Sequence, residues 1–100
     1  MTDLILAIDQ GTTGSTIALM DTDGRLLTSV NHEFPQIFPQ PGWVEHDPES
    51  IWQSVLNGLS AIFSDTQYLV SQVAAIGITN QRETAVLWDS RTGEAVHNAI

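Results

Sequence analysis

The sequence predicts an α/β fold: a mixed sheet that opens with three antiparallel strands, followed by a helix and a buried strand. Three observations carry that reading. Branched-aliphatic runs of strand length occur at residues 4–8, 16–20 and 73–79. One apolar stripe at helical spacing lies ahead of the last run. With 100 residues and 42% hydrophobic content, the chain has room for one globular core of modest size and is no candidate for disorder.

Each element has its own justification. Leu4-Ile5-Leu6-Ala7-Ile8 makes a first strand, and Asp9-Gln10-Gly11-Thr12-Thr13 the tight turn that follows it. Thr16-Ile17-Ala18-Leu19-Met20 begins almost at once, so strand, turn and strand form a hairpin. Asp23-Gly24-Arg25 marks the next turn, and residues 26–34 a third strand. Three prolines and Gly42 within residues 35–46 exclude helix and interior strand, leaving an extended, ordered loop. Asp47-Pro48-Glu49-Ser50 starts a helix, with Asp47 as N-cap, Pro48 in the first helical position and Glu49 near the positive end of the dipole. Ile51, Trp52, Val55, Leu56, Leu59, Ile62 and Phe63 then form its core-facing stripe. Val73-Ala74-Ala75-Ile76-Gly77-Ile78-Thr79 reads as a strand buried on both faces and parallel to the first. Residues 84–89 and 95–98, joined by Ser90-Arg91-Thr92-Gly93, make a last hairpin. Three antiparallel strands, a helix and a buried strand are the opening of a ribonuclease-H-like α/β unit. No repeat, linker or low-complexity segment interrupts it.

Composition narrows the chemistry. Without cysteine there is no disulfide framework, Cys-based metal site or thiol nucleophile, which suits a cytoplasmic protein. The acidic start, Met1-Thr2-Asp3, and the short apolar run behind it predict neither a signal segment nor a membrane span. Three arginines, no lysine and twelve carboxylates give a net charge of −9, a surface that repels nucleic acid and anionic membranes. An anionic substrate must then be held by backbone N–H groups, a metal ion, or one of Arg25, Arg82 and Arg91.

The first turn has the richest chemistry. Gly11, lacking a Cβ, lets the backbone approach a ligand closely. Successive N–H groups there, with the Thr12 and Thr13 hydroxyls, can line an anion-binding concavity. Ionised Asp9 only accepts hydrogen bonds and would repel a bare phosphate, but beside a phosphate turn it suits Mg²⁺, directly or through water. The same residues also suit a plain turn. Two chemistries use this frame. Two-metal nuclease chemistry needs carboxylates at neighbouring strand ends, and here the last strand ends in Thr79-Asn80. Phosphoryl transfer by actin-like ATPases and sugar kinases uses a phosphate hairpin like residues 9–13, and the sequence favours it.

Three segments sharpen that choice: Asp9-Gln10-Gly11-Thr12-Thr13, Pro41-Gly42-Trp43-Val44-Glu45-His46-Asp47-Pro48 and Ile76-Gly77-Ile78-Thr79-Asn80-Gln81-Arg82-Glu83-Thr84. Together they resemble the carbohydrate kinases of the actin-like ATPase superfamily, and within them the glycerol kinases. The resemblance runs through the whole chain in order. It implies ATP-dependent phosphorylation of a terminal hydroxyl of glycerol, with Mg²⁺, on a two-domain actin-like fold. Residues 1–100 would be the N-terminal part of the first kinase domain, and the general base and the closing second domain are expected beyond Ile100. The resemblance assigns Arg82 and Glu83 to glycerol, and Thr12, Thr13 and Gly14, beside Gly11, to the nucleotide phosphates. A cationic donor fork next to a carboxylate acceptor also suits adjacent hydroxyls on physical grounds; the plain alternative is a solvated Arg-Glu pair on a turn.

The chain departs from the family's pattern at Gly14, where Ser is common, and at Thr16, where Arg is frequent. The first change keeps the backbone N–H; the second removes a phosphate-directed charge. Two other functions stay open: a kinase for another polyol or ketose, and a catalytically silent domain that binds a partner or assembles through strand edges. Exposed edges predict self-association of this chain, and an oligomer is expected of the complete enzyme. Trp52 and Trp88 read as core residues, while Trp43, in the proline-rich loop, is open between core and stacking roles. His32, His46 and His97 lack metal-ligand spacing. His46 reads as a hydrogen-bond partner within its loop.

Overall fold

A computed structural model of the protein describes residues 3–64 and 68–100. The regular elements are strands β1 (Leu4–Gln10), β2 (Gly14–Asp21) and β3 (Leu26–Glu33), helix α1 (Pro48–Ser64), a 3₁₀ turn (Val70–Gln72) and strand β4 (Val73–Thr79). They form one four-stranded sheet in the order β3-β2-β1-β4. β1, β2 and β3 pair antiparallel, and β4 returns parallel to β1.

Alternation along the strands sorts the side chains onto two faces. Leu4, Leu6 and Ile8 of β1 share the helix side with Ile17 and Leu19 of β2, because Leu6 stands opposite Leu19 and Ile8 opposite Ile17. α1 lies mainly across β2 and β3, and Val55 and Ile62 complete the buried cluster. Full burial of such side chains stabilises by roughly 1.5–3 kcal/mol each. Gly58 permits the close approach: a Cβ there would stand 2.5 Å from the Ile17 Cγ1. Ser54 is also buried, its hydroxyl 2.7 Å from that of Ser15 and donating to the Ile51 carbonyl at 2.6 Å.

The helix start follows the sequence. The Asp47 carboxylate accepts from the Glu49 N–H at 3.0 Å, its carbonyl from the Ile51 N–H at 3.1 Å, and Pro48 is the first helical residue. At the β2–β3 turn the Asp21 carboxylate accepts from the N–H groups of Asp23 and Arg25, and Gly24 takes φ 85°. The loop after β3 is ordered by two small antiparallel bridges, Ile37 with Glu45 and His46 with Ala99.

Several expectations need correction. β4 is parallel to β1 as predicted but is not buried: Ile76 is 58% and Ile78 72% exposed. The register puts both on the helix side of the sheet, yet α1 sits over the other strands and leaves them uncovered. Trp52 and Leu56, assigned to the core stripe, are exposed, because the face α1 buries runs through Ser54, Val55, Gly58 and Ile62. Trp88 is exposed as well. The last hairpin has its predicted turn, with Gly93 at φ 77°, but its arms meet only in the bridge of Trp88 with Ala95 and flanking bonds. In that turn the Arg91 backbone N–H, then its guanidinium, hold the Asp89 carboxyl below the usual carboxylate range.

Candidate functional site

The parallel pairing of β1 and β4 brings two chemically interesting segments to one end of the sheet. Asp9 stands opposite Thr79, so the turn leaving β1 and the segment leaving β4 are neighbours. Ligands of open α/β sheets gather at the carboxyl ends of such strands.

The first segment is the turn at residues 11–14, closed by the Gly11 N–H donating to the Gly14 carbonyl at 2.9 Å. Thr12 and Thr13 are exposed at its tip, and neither hydroxyl is engaged by a hydrogen bond among the described residues. Their carbonyls are held: that of Thr13 accepts from the Phe34 N–H at 3.2 Å, and that of Thr12 from Gln36 Nε2 at 3.0 Å. The turn is thus anchored through its carbonyls while its hydroxyls face outward. Gly14 is buried against β3, where a Cβ would lie 2.9 Å from the His32 carbonyl oxygen. A side chain at this position would need β3 to shift.

Asp9 is exposed on the face opposite the helix, flanked by Thr16 of β2 and Thr79 of β4. The other departure, Thr16, receives a hydrogen bond from Asn31 Nδ2 at 2.8 Å. Among the described residues no three His, Cys, Asp or Glu side chains cluster in a way that would hold a metal. A lone carboxylate next to free hydroxyls fits Mg²⁺ nonetheless, since that ion keeps several waters and takes one or two carboxylates along with phosphate oxygens.

The second segment is Gln81-Arg82-Glu83-Thr84. Arg82 and Glu83 are exposed, and neither side chain is paired among the described residues. Glu83 has φ 65°, the one non-glycine residue described with a positive φ. That left-handed backbone turns the chain sharply and holds Arg82 and Glu83 out beyond the strand end. Gln81 points the other way. It is buried and takes a hydrogen bond from Gln10 Nε2 at 3.4 Å, which ties the two segments together. A cleft lined by Gln10, Trp52, Asn80, Gln81 and Thr84 opens on the helix side of this junction; Arg82 and Glu83 do not line it.

Asp9, Gly11, Thr12 and Thr13 therefore lie at the same sheet end as Arg82 and Glu83, and Gly14 sits just inside it. Sequence reasoning missed Gln10, Gln36 and Gln81, the amides that join the segments. Their one signal was position: Gln10 and Gln81 each stand at or just past the end of a strand. Trp43 is exposed in its loop and belongs to neither segment.

The family model described as FGGY family of carbohydrate kinases, N-terminal domain, matches residues 4–100. A glycerol kinase of Symbiobacterium thermophilum is 59% identical over 96 residues, which is 96% of this chain and 19% of the relative. One from a Marinomonas species is 55% identical across 100% of this chain and 20% of the relative. Among solved structures, a Plasmodium falciparum glycerol kinase with ADP superposes with a TM-score of 0.85 at 35% identity, covering 99% of this chain and 20% of that one. A gluconate kinase of Lactobacillus acidophilus reaches 0.87 at 26% identity, covering 100% and 20%. The chain spans about one fifth of the length of the relatives it matches.

Proposed function

The chain belongs to the FGGY family of carbohydrate kinases, and from that premise we propose that it is the N-terminal part of an ATP-dependent kinase that converts glycerol to glycerol 3-phosphate. The supporting observation is the meeting, at the paired ends of β1 and β4, of a turn with free hydroxyls and an unpaired Arg82–Glu83 couple. One suits a phosphate chain and the other a small polyol.

The proposed roles follow from chemistry. Gly11, Thr12, Thr13 and Gly14 bind the nucleotide phosphates through N–H groups and hydroxyls. Arg82 donates to one glycerol hydroxyl while Glu83 accepts from its neighbour, a polarity that only a diol or longer polyol satisfies in full. Asp9 holds Mg²⁺ through water, and the bound ion supplies neutralisation of the charge on the phosphate oxygens. The catalytic base is assigned to the part of the enzyme beyond residue 100. Phosphoryl transfer is mainly a matter of positioning and charge stabilisation, and this region contributes both.

Names of relatives support glycerol over a sugar acid or ketose, because the glycerol kinases match at higher identity than the gluconate kinase. The test is a pair of variants in the complete enzyme. Thr13→Val should weaken the use of ATP and leave glycerol less affected, whereas Arg82→Ala should raise the glycerol requirement. Steady-state kinetics with each substrate varied reads both; glycerol kinetics unchanged in Arg82→Ala would reject the substrate assignment. A substrate panel on the parent decides between glycerol and other polyols.

A further inference from the structure

A closed chain of hydrogen bonds starts and ends on the phosphate turn, and the one ionisable group in it is the His46 imidazole. From the Thr12 carbonyl it passes to Gln36 Nε2 (3.0 Å), from Gln36 Oε1 to His46 Nε2 (2.7 Å), and from His46 Nδ1 to Gln81 Nε2 (3.3 Å). From Gln81 Oε1 it reaches Gln10 Nε2 (3.4 Å), which also donates to the Gly11 carbonyl at 2.6 Å. His46 and Gln81 are each only 7% exposed. The Phe34 ring stands edge-on to the imidazole at 5.1 Å, and paired backbone bonds with Ala99 fix the residue from behind.

The two backbone carbonyls dictate the direction of every bond between them. A carbonyl can only accept. Gln36 must therefore turn its nitrogen to Thr12, which leaves its oxygen for His46 and requires a proton on Nε2. Gln10 must turn its nitrogen to Gly11, so it can only donate to Gln81. The Gln81 nitrogen then faces His46 and requires a bare Nδ1. A single state of His46 satisfies both sides, the neutral Nε2–H tautomer. Flipping Gln81 alone would set two amide nitrogens against each other at Gln10.

We infer that His46, acting through Gln36 and Gln81, is a positioning residue that locks the phosphate turn to the segment carrying Arg82 and Glu83. Gln81 immediately precedes Arg82, and its nitrogen also donates to Thr84 Oγ1 at 3.0 Å, so the amide grips both sides of the Arg82–Glu83 couple. The inference rests on the proposed roles of those residues. Breaking the ring leaves each subsite intact but lets one drift against the other. Drift of the acceptor relative to the donor is felt in the chemical step more than in binding, where a misplacement of about 1 Å costs on the order of a hundredfold.

The test uses the complete enzyme. His46→Phe keeps the ring shape and removes both polar bonds; Gln36→Met removes the bonds to Thr12 and His46, and Gln81→Met those to His46, Gln10 and Thr84. Expected are a fall in kcat of roughly ten- to a hundredfold with both KM values within about threefold of the parent. The Gln36→Met/Gln81→Met double variant should be no slower than the worse single, because one break already opens the ring. A melting curve on each variant separates folding losses from these effects. Independently of activity, two-bond ¹H–¹⁵N spectra of histidine-labelled enzyme near neutral pH should show His46 with Nε2 protonated and Nδ1 bare, assigned by its absence from His46→Phe. An imidazolium or the other tautomer overturns the inference, as do multiplicative losses in the double variant or kcat unchanged in His46→Phe. A parent inactive on glycerol would instead overturn the functional reading, and the spectrum would still read the state of His46.

Discussion

Glu83 joins two properties rarely found together, an unpaired carboxylate and a left-handed backbone at φ 65°. A residue with a Cβ pays about 1–3 kcal/mol for such a conformation, and nothing in the local packing of this exposed residue repays it. On the proposed reading, glycerol binding is the reason for tolerating the cost. Glu83→Gln keeps the shape and the strain but exchanges a double acceptor for one acceptor and one donor. Its loss in glycerol kcat/KM should correspond to about 1.5–3 kcal/mol, the range for hydrogen bonds to charged groups. Glu83→Gly should lose at least as much efficiency without lowering the melting temperature, since relief of the strain offsets the extra chain entropy of glycine, about 1 kcal/mol. Glycerol efficiency in Glu83→Gln equal to the parent's would reject the role, and a clear drop in melting temperature for Glu83→Gly would reject the strain. Sequence made the candidate residues legible because motif and charge scarcity both pointed at them: Arg82 is one of only three cations. It could not reveal the backbone conformation of Glu83 or the amide ring. Those depend on which atoms meet across Gln10, Gln36 and Gln81, residues distant along the chain and unremarkable in composition.

At the level of elements, α1 comes close to β2, and Gly58 makes that approach possible. Alanine at this position gains about 1 kcal/mol of helix propensity, but its Cβ would stand 2.5 Å from Ile17, a side chain with no exposed surface and no room to yield. Overpacking of that kind costs about 1–3 kcal/mol. Gly58→Ala should therefore destabilise the protein despite its better propensity, which denaturant unfolding measures; a variant more stable than the parent would show that the helix shifts freely. Sequence periodicity located α1, its Asp47 cap and all four strands, because capping chemistry and hydrophobic runs are local signals. It placed Val55, Leu59, Ile62 and Phe63 correctly against the sheet but misjudged one edge of the inward face. Counting apolar residues favoured Trp52 and Leu56 over Ser54 and Gly58, yet small residues are what close packing on Ile17 and Ser15 demands. The same limit explains β4: an apolar run tells that a strand can be buried, while the position of α1 over β2 and β3 decides that Ile76 and Ile78 are not.

For the molecule as a whole, the uncovered face of β4 and its free edge set the behaviour of this 100-residue chain in isolation. A strand edge with bare apolar side chains pairs with other chains. The isolated chain should fold around its helix-side core, self-associate, and transfer no phosphoryl group, because on the proposed reading the base and the closing domain lie outside it. Light scattering over a concentration series, with glycerol 3-phosphate followed under Mg-ATP, checks both points. A monomer at high concentration would contradict the exposed edge, and turnover that tracks the purified chain would contradict the missing base. The topology also gives the site a history. β1, β2 and β3 join through short turns, whereas Leu4 meets Val73 only after the loop and α1 have been traversed. Contacts of high sequence separation close late, since the entropy of the intervening loop must be overcome first. The turn at residues 11–14 therefore closes with the first hairpin, and Arg82 and Glu83 come beside it only when β4 docks, so on the proposed reading the polyol half of the site forms after the phosphate half.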